Sequence, residues 1–137
     1  MADIIGTVLD VALKLFGLRG KLSEAHQARK KEVADFIYAI AKNIEDVSAS
    51  LKQGIYPHGT CQILLSHSNQ MEQAIGDLIG KQEAIDLGNQ LREVWEIENL
   101  HSELNPKPEK ERKRSLHVLD QAAGLFRATG DIVKVSP

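Results

Sequence analysis

The longest uninterrupted segment of the chain, residues 21–53, contains neither glycine nor proline. Its apolar residues recur at alternating spacings of four and three, which is the spacing of a seam in a helical bundle or coiled coil. The seam consists of Val33, Ile37, Ile40, Ile44, Val47 and Leu51. The segment therefore predicts one long helix that packs within a bundle.

Two further helices are predicted between the breaks that follow this segment. Gly54 is suited to end the long helix, and Tyr56-Pro57-His58-Gly59 indicates a connecting turn. A helix is predicted from about Thr60 to Ile79, with the polar run 67–70 interrupting its apolar side. After Gly80, residues 81–104 carry apolar residues near the helical period and predict a third long helix.

The last part of the chain begins with a strong helix stop at Asn105-Pro106-Lys107-Pro108. Proline has no backbone N–H to donate and disfavours helix in the residue before it. A helix is predicted from Glu109, through a charged run, to about Thr129. Residues 130–137 contain alternating β-branched residues and are expected to form a strand-capable tail.

These segments predict an all-α protein, because three long helices joined by short turns pack as antiparallel neighbours. A short apolar N-terminal helix and the C-terminal helix would complete a four- to five-helix antiparallel bundle. Aromatic residues make up 4% of the chain, which favours helices over a sandwich or barrel. The expected organisation is a bundle over 1–104, a charged, proline-containing hinge over 105–114, an additional helix over 115–129 and the tail over 130–137.

The N-terminal segment MADIIGTVLDVALKLFGL predicts a helix with one wide apolar face. That face comprises Ile4, Ile5, Val8, Leu9, Ala12, Leu15 and Phe16, and Val11 and Leu13 widen it. It must be covered by the bundle, by a partner or by a membrane interface, since water solvates hydrocarbon poorly. The segment is shorter than the roughly 20 apolar residues of a membrane span. Its charge order is the reverse of a secretory signal, so a mature N-terminus is expected.

Charge is distributed unevenly along the chain, although the formal net charge is −2. Basic residues are in excess in residues 1–31 and 105–137, and acidic residues are in excess in residues 32–104. Such blocks indicate either helix faces of opposite sign that attract each other or a basic surface that binds anionic lipid. The single Cys61 cannot form an internal disulfide, which favours a reducing, cytoplasmic compartment.

The sequence contains no recognisable catalytic or cofactor-binding constellation, and we expect neither an enzyme nor a bound cofactor or metal. The histidines are spread over different predicted helices and turns, and His58 and Cys61 have no second pair at ligand spacing. No glycine-rich phosphate loop is present. The basic run 107–114 includes acidic residues and no aromatic residue, so specific nucleic-acid binding is not expected.

Four features together resemble the HeLo-like four-helix-bundle superfamily. They are the opening Met-Ala-Asp-Ile-Ile-Gly, the basic-started helix over 21–53, the hairpin through Tyr56-Pro57, and the helix containing Leu91-Arg-Glu-Val-Trp95. The superfamily includes fungal HeLo domains, plant disease-resistance domains, the killer bundle of the mixed-lineage-kinase-like pseudokinase and bacterial Bell domains. The similarity covers roughly residues 1–104. The fungal domains are longer, and no amyloid-signalling motif follows Gly130.

The resemblance implies a cytoplasmic cell-death or immune effector that oligomerises and then permeabilises a membrane with its N-terminal helix. It implies as partners anionic lipids of the inner face of the plasma membrane, further copies of the chain and an upstream signalling protein. The implied pore-lining polar face contains Asp3 and Asp10. The implied membrane-interacting residues are Ile4, Ile5, Val8, Leu9, Leu15 and Phe16, with Lys14, Arg19 and Lys21 at lipid headgroups.

The alternative is a non-enzymatic adaptor or regulatory bundle in which the N-terminal helix is a permanent core element. Both interpretations require the apolar face of that helix to be buried in the resting protein. The sequence alone therefore leaves the choice open.

Overall fold

The computed structural model describes residues 4–136, and every regular element in that range is an α-helix. An all-α fold is thereby confirmed. The helices are α1 (Ile4–Gly17), α2 (Arg19–Leu22), α3 (Gln27–Lys52), α4 (His58–Ile79), α5 (Lys81–Trp95), α6 (Ile97–Leu104) and α7 (Glu109–Val135).

Helices α3 and α7 lie side by side along most of their length and run in opposite directions. At one end, the Lys30 ammonium donates to the Ser136 carbonyl at 2.9 Å. At the other end, the Lys52 ammonium donates to the Asp120 carboxylate at 2.7 Å. Residue numbers thus rise along one helix while they fall along the other, so this pair is antiparallel.

Helix α4 packs against α3 on one side and against α5 on the other. The Arg29 guanidinium, near the start of α3, pairs with Asp77 near the end of α4 and donates to the Ala74 carbonyl at 2.8 Å. Farther along, the Asn43 amide lies 3.3 Å from Nε2 of His67. These contacts make α3 and α4 antiparallel as well.

The hydrophobic core is shared by all the long helices, and α1 contributes to it between α5 and α7. Trp95 of α5 and Phe126 of α7 are the largest fully buried side chains. Leu116 and Leu119 of α7 belong to the same core cluster. The boundary expected after residue 104 therefore does not divide the core, because α7 covers both α1 and α3.

The long helix begins at Gln27 rather than at residue 21, because residues 23–26 separate it from α2, but its predicted seam is confirmed. All six of its apolar residues are buried, and the largest exposed fraction among them is 6%, at Leu51. Helix α4 begins at His58, close to the predicted Thr60, and ends at the predicted Ile79. The polar run 67–70 interrupts the apolar side of α4 but not the helix itself. Ser68 lies on the buried side and donates to the Leu64 carbonyl of its own helix at 2.9 Å.

The prediction of one helix over 81–104 is wrong, since the helix breaks at Glu96 into α5 and α6. Glu96 has an extended backbone, with φ −67° and ψ 118°. The Asn99 side-chain amide donates to the Glu93 carbonyl at 2.7 Å, which satisfies a group that the break frees. Neither glycine nor proline marks this position.

The expected tail over 130–137 is helical as far as Val135, so its interpretation as strand-capable is wrong. Gly130, which follows the predicted end of this helix at about Thr129, lies inside α7. A Cβ atom at Gly130 would lie 2.6 Å from the ring of Tyr38 on α3. The glycine is therefore a packing site that lets the tyrosine ring cross α7, and the Tyr38 hydroxyl donates to Asp131.

The expected hinge over 105–114 is helical from Glu109 onward, and its connecting residues are tied to the helices on either side. Arg112 donates to the Leu104 carbonyl at 3.3 Å and to the Lys107 carbonyl at 3.2 Å. The Lys107 ammonium contacts Glu103 at 3.3 Å and Ser115 at 3.1 Å. Pro108 immediately precedes the first helical residue.

The stability difference between the wild type and R127M is expected to depend on pH, because Arg127 of α7 forms an ion pair with Glu45 of α3. The Arg127 guanidinium, hydrogen-bonded to Glu45 with one N–O distance of 3.0 Å, holds the pKa of that carboxyl below its usual range. Both side chains are about half exposed, so the pair stabilises the fold by at most about 1 kcal/mol. We expect R127M to be less stable than the wild type at neutral pH by up to that amount.

The direction of this pH dependence follows from the lowered pKa of Glu45. The stabilisation is complete above the unfolded pKa of about 4.3 and is lost as the pH falls through the lower folded value. Urea unfolding at several pH values should show the two proteins converging on acidification. A gap that stays constant down to pH values below the folded pKa of Glu45 would contradict this assignment.

Candidate functional site: the N-terminal helix and its basic end

Helix α1 carries most of the residues that the sequence marks as functional, and the structure divides them between core and surface. Ile5, Val8 and Leu15 are fully buried, and Ile4 and Leu9 are half-buried against the core. Phe16 is half-buried at the end of the helix. Asp10 is exposed on the opposite side. The expected pore-lining Asp3 lies outside the described residues.

Two residues of the buried face were not among the predicted membrane-interacting residues. Val11 and Ala12 are both fully buried. Val11 falls three residues after Val8 and four before Leu15, which is the helical spacing of the face itself. This spacing is enough to assign Val11 to the core from the sequence. Leu13, by contrast, is 50% exposed.

The end of α1 is closed by its own backbone and by Arg19. The Leu18 amide donates to the Lys14 carbonyl at 3.1 Å and to the Leu15 carbonyl at 3.0 Å. The Arg19 guanidinium donates to the Phe16 carbonyl at 3.0 Å and lies 4.4 Å from the centroid of the Phe16 ring. A cation at this position interacts favourably with the negative end of the helix dipole. Arg19 therefore stabilises the last turn of α1.

The three predicted headgroup-binding residues all lie on the surface around this end. Lys14, Arg19 and Lys21 are exposed. Within residues 4–136, none of the three forms an ion pair with a carboxylate. We call these three residues the basic end of α1. Because these cations are exposed and have no carboxylate partner, the basic end can meet an anionic surface while the buried residues of α1 stay in the core.

Helix α1 is placed so that its release would open the core. It packs against α7 and α5 and also contacts α6. Fully burying a Val, Leu or Ile side chain contributes about 1.5–3 kcal/mol. The four such residues of α1, Ile5, Val8, Val11 and Leu15, together represent roughly 6–12 kcal/mol of burial that release would have to replace.

The remaining reactive groups do not assemble into a catalytic arrangement in the part of the chain that the structure describes. Burial raises the pKa of the Cys61 thiol to about 11, which disfavours the reactive thiolate. Burial lowers the pKa of His67, and its Nδ1 is buried without a hydrogen-bond partner. Among residues 4–136, no group of three or more His, Cys, Asp or Glu side chains is arranged to hold a metal.

An open groove of about 660 Å³ lies where α3 ends and α7 begins. Its apolar floor is formed by Leu51 and Leu116, and its rim includes Lys52, Lys113 and Asp120. The rim charges are largely compensated, since Lys52 pairs with Asp120 and Lys113 pairs with Glu109. The groove is therefore a concave surface with an apolar floor, and neither positive nor negative charge dominates its rim.

Within residues 4–136, no helix combines the length and apolarity needed to cross a membrane. Helix α1 has 14 residues and is also too short on geometric grounds. Comparison of the chain with family models, with curated proteins and with solved structures finds no match in any of the three.

Proposed function

We propose that this chain is a membrane-targeting cell-death or immune effector, built as a four- to five-helix antiparallel bundle. In this proposal the chain is cytoplasmic and is recruited to the inner face of the plasma membrane. An upstream signalling protein triggers self-association, and the oligomer permeabilises the membrane with α1. The observation that carries the proposal is that α1 combines an apolar face with a fully buried centre and a basic end whose three cations pair with no carboxylate within residues 4–136.

The energetics of α1 support a conditional role. The roughly 6–12 kcal/mol of apolar burial keeps α1 in the core as long as nothing replaces it. An amphipathic helix in a membrane interface buries its apolar face to a comparable extent and gains further from cations at anionic headgroups. Release thus becomes favourable only where lipid or other copies of the chain supply new burial.

A second candidate is a non-enzymatic adaptor bundle in which α1 never leaves the core. The complete burial of Ile5, Val8, Val11, Ala12 and Leu15 favours this alternative directly. In that case partners would bind the outer surfaces, for example the groove between the end of α3 and the start of α7. Membrane binding by the basic end is the property that separates the two candidates.

The test is binding to lipid vesicles after charge reversal of the basic end. Each basic residue near an anionic surface contributes about 1 kcal/mol, so the K14E/R19E/K21E variant should lose most of its affinity at low salt. Co-sedimentation with vesicles containing phosphatidylserine measures the bound fraction, and vesicles of phosphatidylcholine alone provide the uncharged reference.

The matched control is the K110E/K113E/R114E variant, which makes the same change in net charge on the exposed first turns of α7. We expect it to bind nearly as well as the wild type. Equal binding by all three proteins, or equal loss in both variants, would contradict recruitment through the basic end of α1.

A further inference from the structure

The outward face of α4 before Glu72 differs from the exposed faces of the other long helices because it lacks charge. Residues 53–71 contain no Asp, Glu, Lys or Arg, although 26% of the whole chain is charged. The exposed residues of α4 before Asp77 are glycine, histidine, glutamine, asparagine, serine and one isoleucine. We call Gly59, Ile63, Ser66, Gln70 and Gln73 the α4 outer seam.

The α4 outer seam has the spacing of a helix–helix contact. Its residues alternate spacings of four and three, as in the seam of a two-stranded coiled coil. Each lies two residues, or about 200° of helix rotation, after a buried residue such as Cys61, Leu64, Ser68 or Met71. The seam therefore faces directly away from the core, on the side that neither α3 nor α5 covers.

The seam also carries an apolar protrusion and a depression on the same face. Ile63 is 49% exposed. A shallow depression of about 260 Å³ is lined by Gln70, Gln73 and Ala74. At 1.5 Å per residue, Ile63 and Gln70 are about 10 Å apart along the helix axis. In an antiparallel contact between two copies of α4, each Ile63 would meet the other copy's depression.

The pairing of Ile63 with the depression favours a second copy of this chain as the partner, and the absence of charge is compatible with it. A two-fold interface places the same patch against itself, so a patch dominated by one charge would repel its copy. Glutamine and serine side chains carry both donors and acceptors and can pair with their own kind. The cores of protein interfaces are depleted in charged residues in the same way.

We propose that the folded protein self-associates through the α4 outer seam, with the two α4 helices antiparallel and Ile63 of each copy seated beside Gln70 of the other. The proposal deepens the self-association in the proposed function and rests on it. It requires no movement of α1. A polar seam with one isoleucine per copy makes a weak, concentration-dependent dimer.

Sedimentation equilibrium of the full chain without lipid tests the proposal. We expect the average mass to rise from 15.2 kDa toward twice that value with increasing protein concentration. The association should be nearly unchanged between low and high salt, since no charge is paired across the seam. A chain that stays monomeric, or that associates only at low salt, overturns the proposal.

Two charge variants test the antiparallel register. I63E/Q70E places like charges opposite each other twice and should weaken association at least tenfold. I63K/Q70E has the same two positions changed but places opposite charges together, and it should associate measurably more tightly than I63E/Q70E, with a new salt dependence. The matched control N89E adds charge to the exposed face of α5 and should associate like the wild type.

The outcomes remain separable from those of the membrane proposal. Equal association of the two double variants would overturn the α4 register, whatever the vesicle experiments show. Circular dichroism checks that both double variants keep the helical content of the wild type, which is expected because Ile63 and Gln70 are exposed. Loss of vesicle binding in K14E/R19E/K21E with unchanged dimerisation would leave the α4 contact standing.

Discussion

Replacing Leu15 by alanine is expected to lower the free energy of unfolding by about 2–5 kcal/mol. Leu15 is fully buried near the end of α1, so the truncation removes apolar burial and leaves a cavity in the core. Urea unfolding followed by circular dichroism measures the loss. The magnitude is large for a protein of 137 residues, because net stabilities are typically about 5–15 kcal/mol.

The matched control for this substitution is L13A on the same helix. Leu13 is half exposed, so its truncation should change the unfolding free energy by no more than about 0.5 kcal/mol. Similar losses in both variants would mean that α1 does not pack against the core through the side that carries Leu15. A negligible loss in L15A would mean that α1 is not part of the folded core in solution.

Replacing Gly88 by valine is expected to destabilise the protein by about 3 kcal/mol or more. A Cβ atom at Gly88 would lie 2.4 Å from the backbone carbonyl oxygen of Ser68 and 3.3 Å from Cβ of Met71. The Ser68 carbonyl belongs to the backbone and cannot rotate aside as a flexible side chain can. The clash would therefore push α4 and α5 apart. Thermal and urea unfolding should both report the loss.

A glycine in open surroundings provides the opposite expectation. Gly124 lies inside α7, and a Cβ atom there would meet nothing within 4 Å. G124A should therefore stabilise the protein by about 0.5–1 kcal/mol, since alanine is the better helix former. If G88V left the stability unchanged or raised it, the close approach of α4 and α5 would be wrong.

The helices that could be predicted are those whose apolar spacing is regular and whose ends carry glycine or proline. The seam from Val33 to Leu51 and the end of α4 at Gly80 are of this kind, because local chemistry and tertiary packing act in the same direction there. The break at Glu96 could not be predicted in this way. It is stabilised by the Asn99 amide on the Glu93 carbonyl, a contact that no residue pattern indicates.

Gly130 shows the opposite failure, in which a local signal is overridden by a distant residue. A glycine followed by β-branched residues favours the end of a helix, yet the ring of Tyr38 needs the space that a side chain would fill. Interhelical packing therefore carries α7 through to Val135. The sequence separation between Tyr38 and Gly130 makes this contact invisible to local patterns.

The sequence indicates which residues form the candidate site, but not which of them the bundle covers. The helical spacing of α1 was clear from the sequence, and so were the basic residues after it. Whether that apolar face is covered by the bundle depends on α5 and α7, which pack against α1 from far along the chain. The basic end remains outside because Lys14, Arg19 and Lys21 all lie on the uncovered side.

Dye release from vesicles containing phosphatidylserine shows whether α1 leaves the core to permeabilise the membrane, when L15A is compared with the matched core variant M71A. Both side chains are fully buried, but only Leu15 holds α1 in place, since Met71 belongs to α4. At a temperature where both variants are folded, we expect L15A to release dye faster than the wild type and M71A not to do so. No release by any of the three proteins, or equal release by L15A and M71A, would contradict release of α1 as the step that permeabilises the membrane.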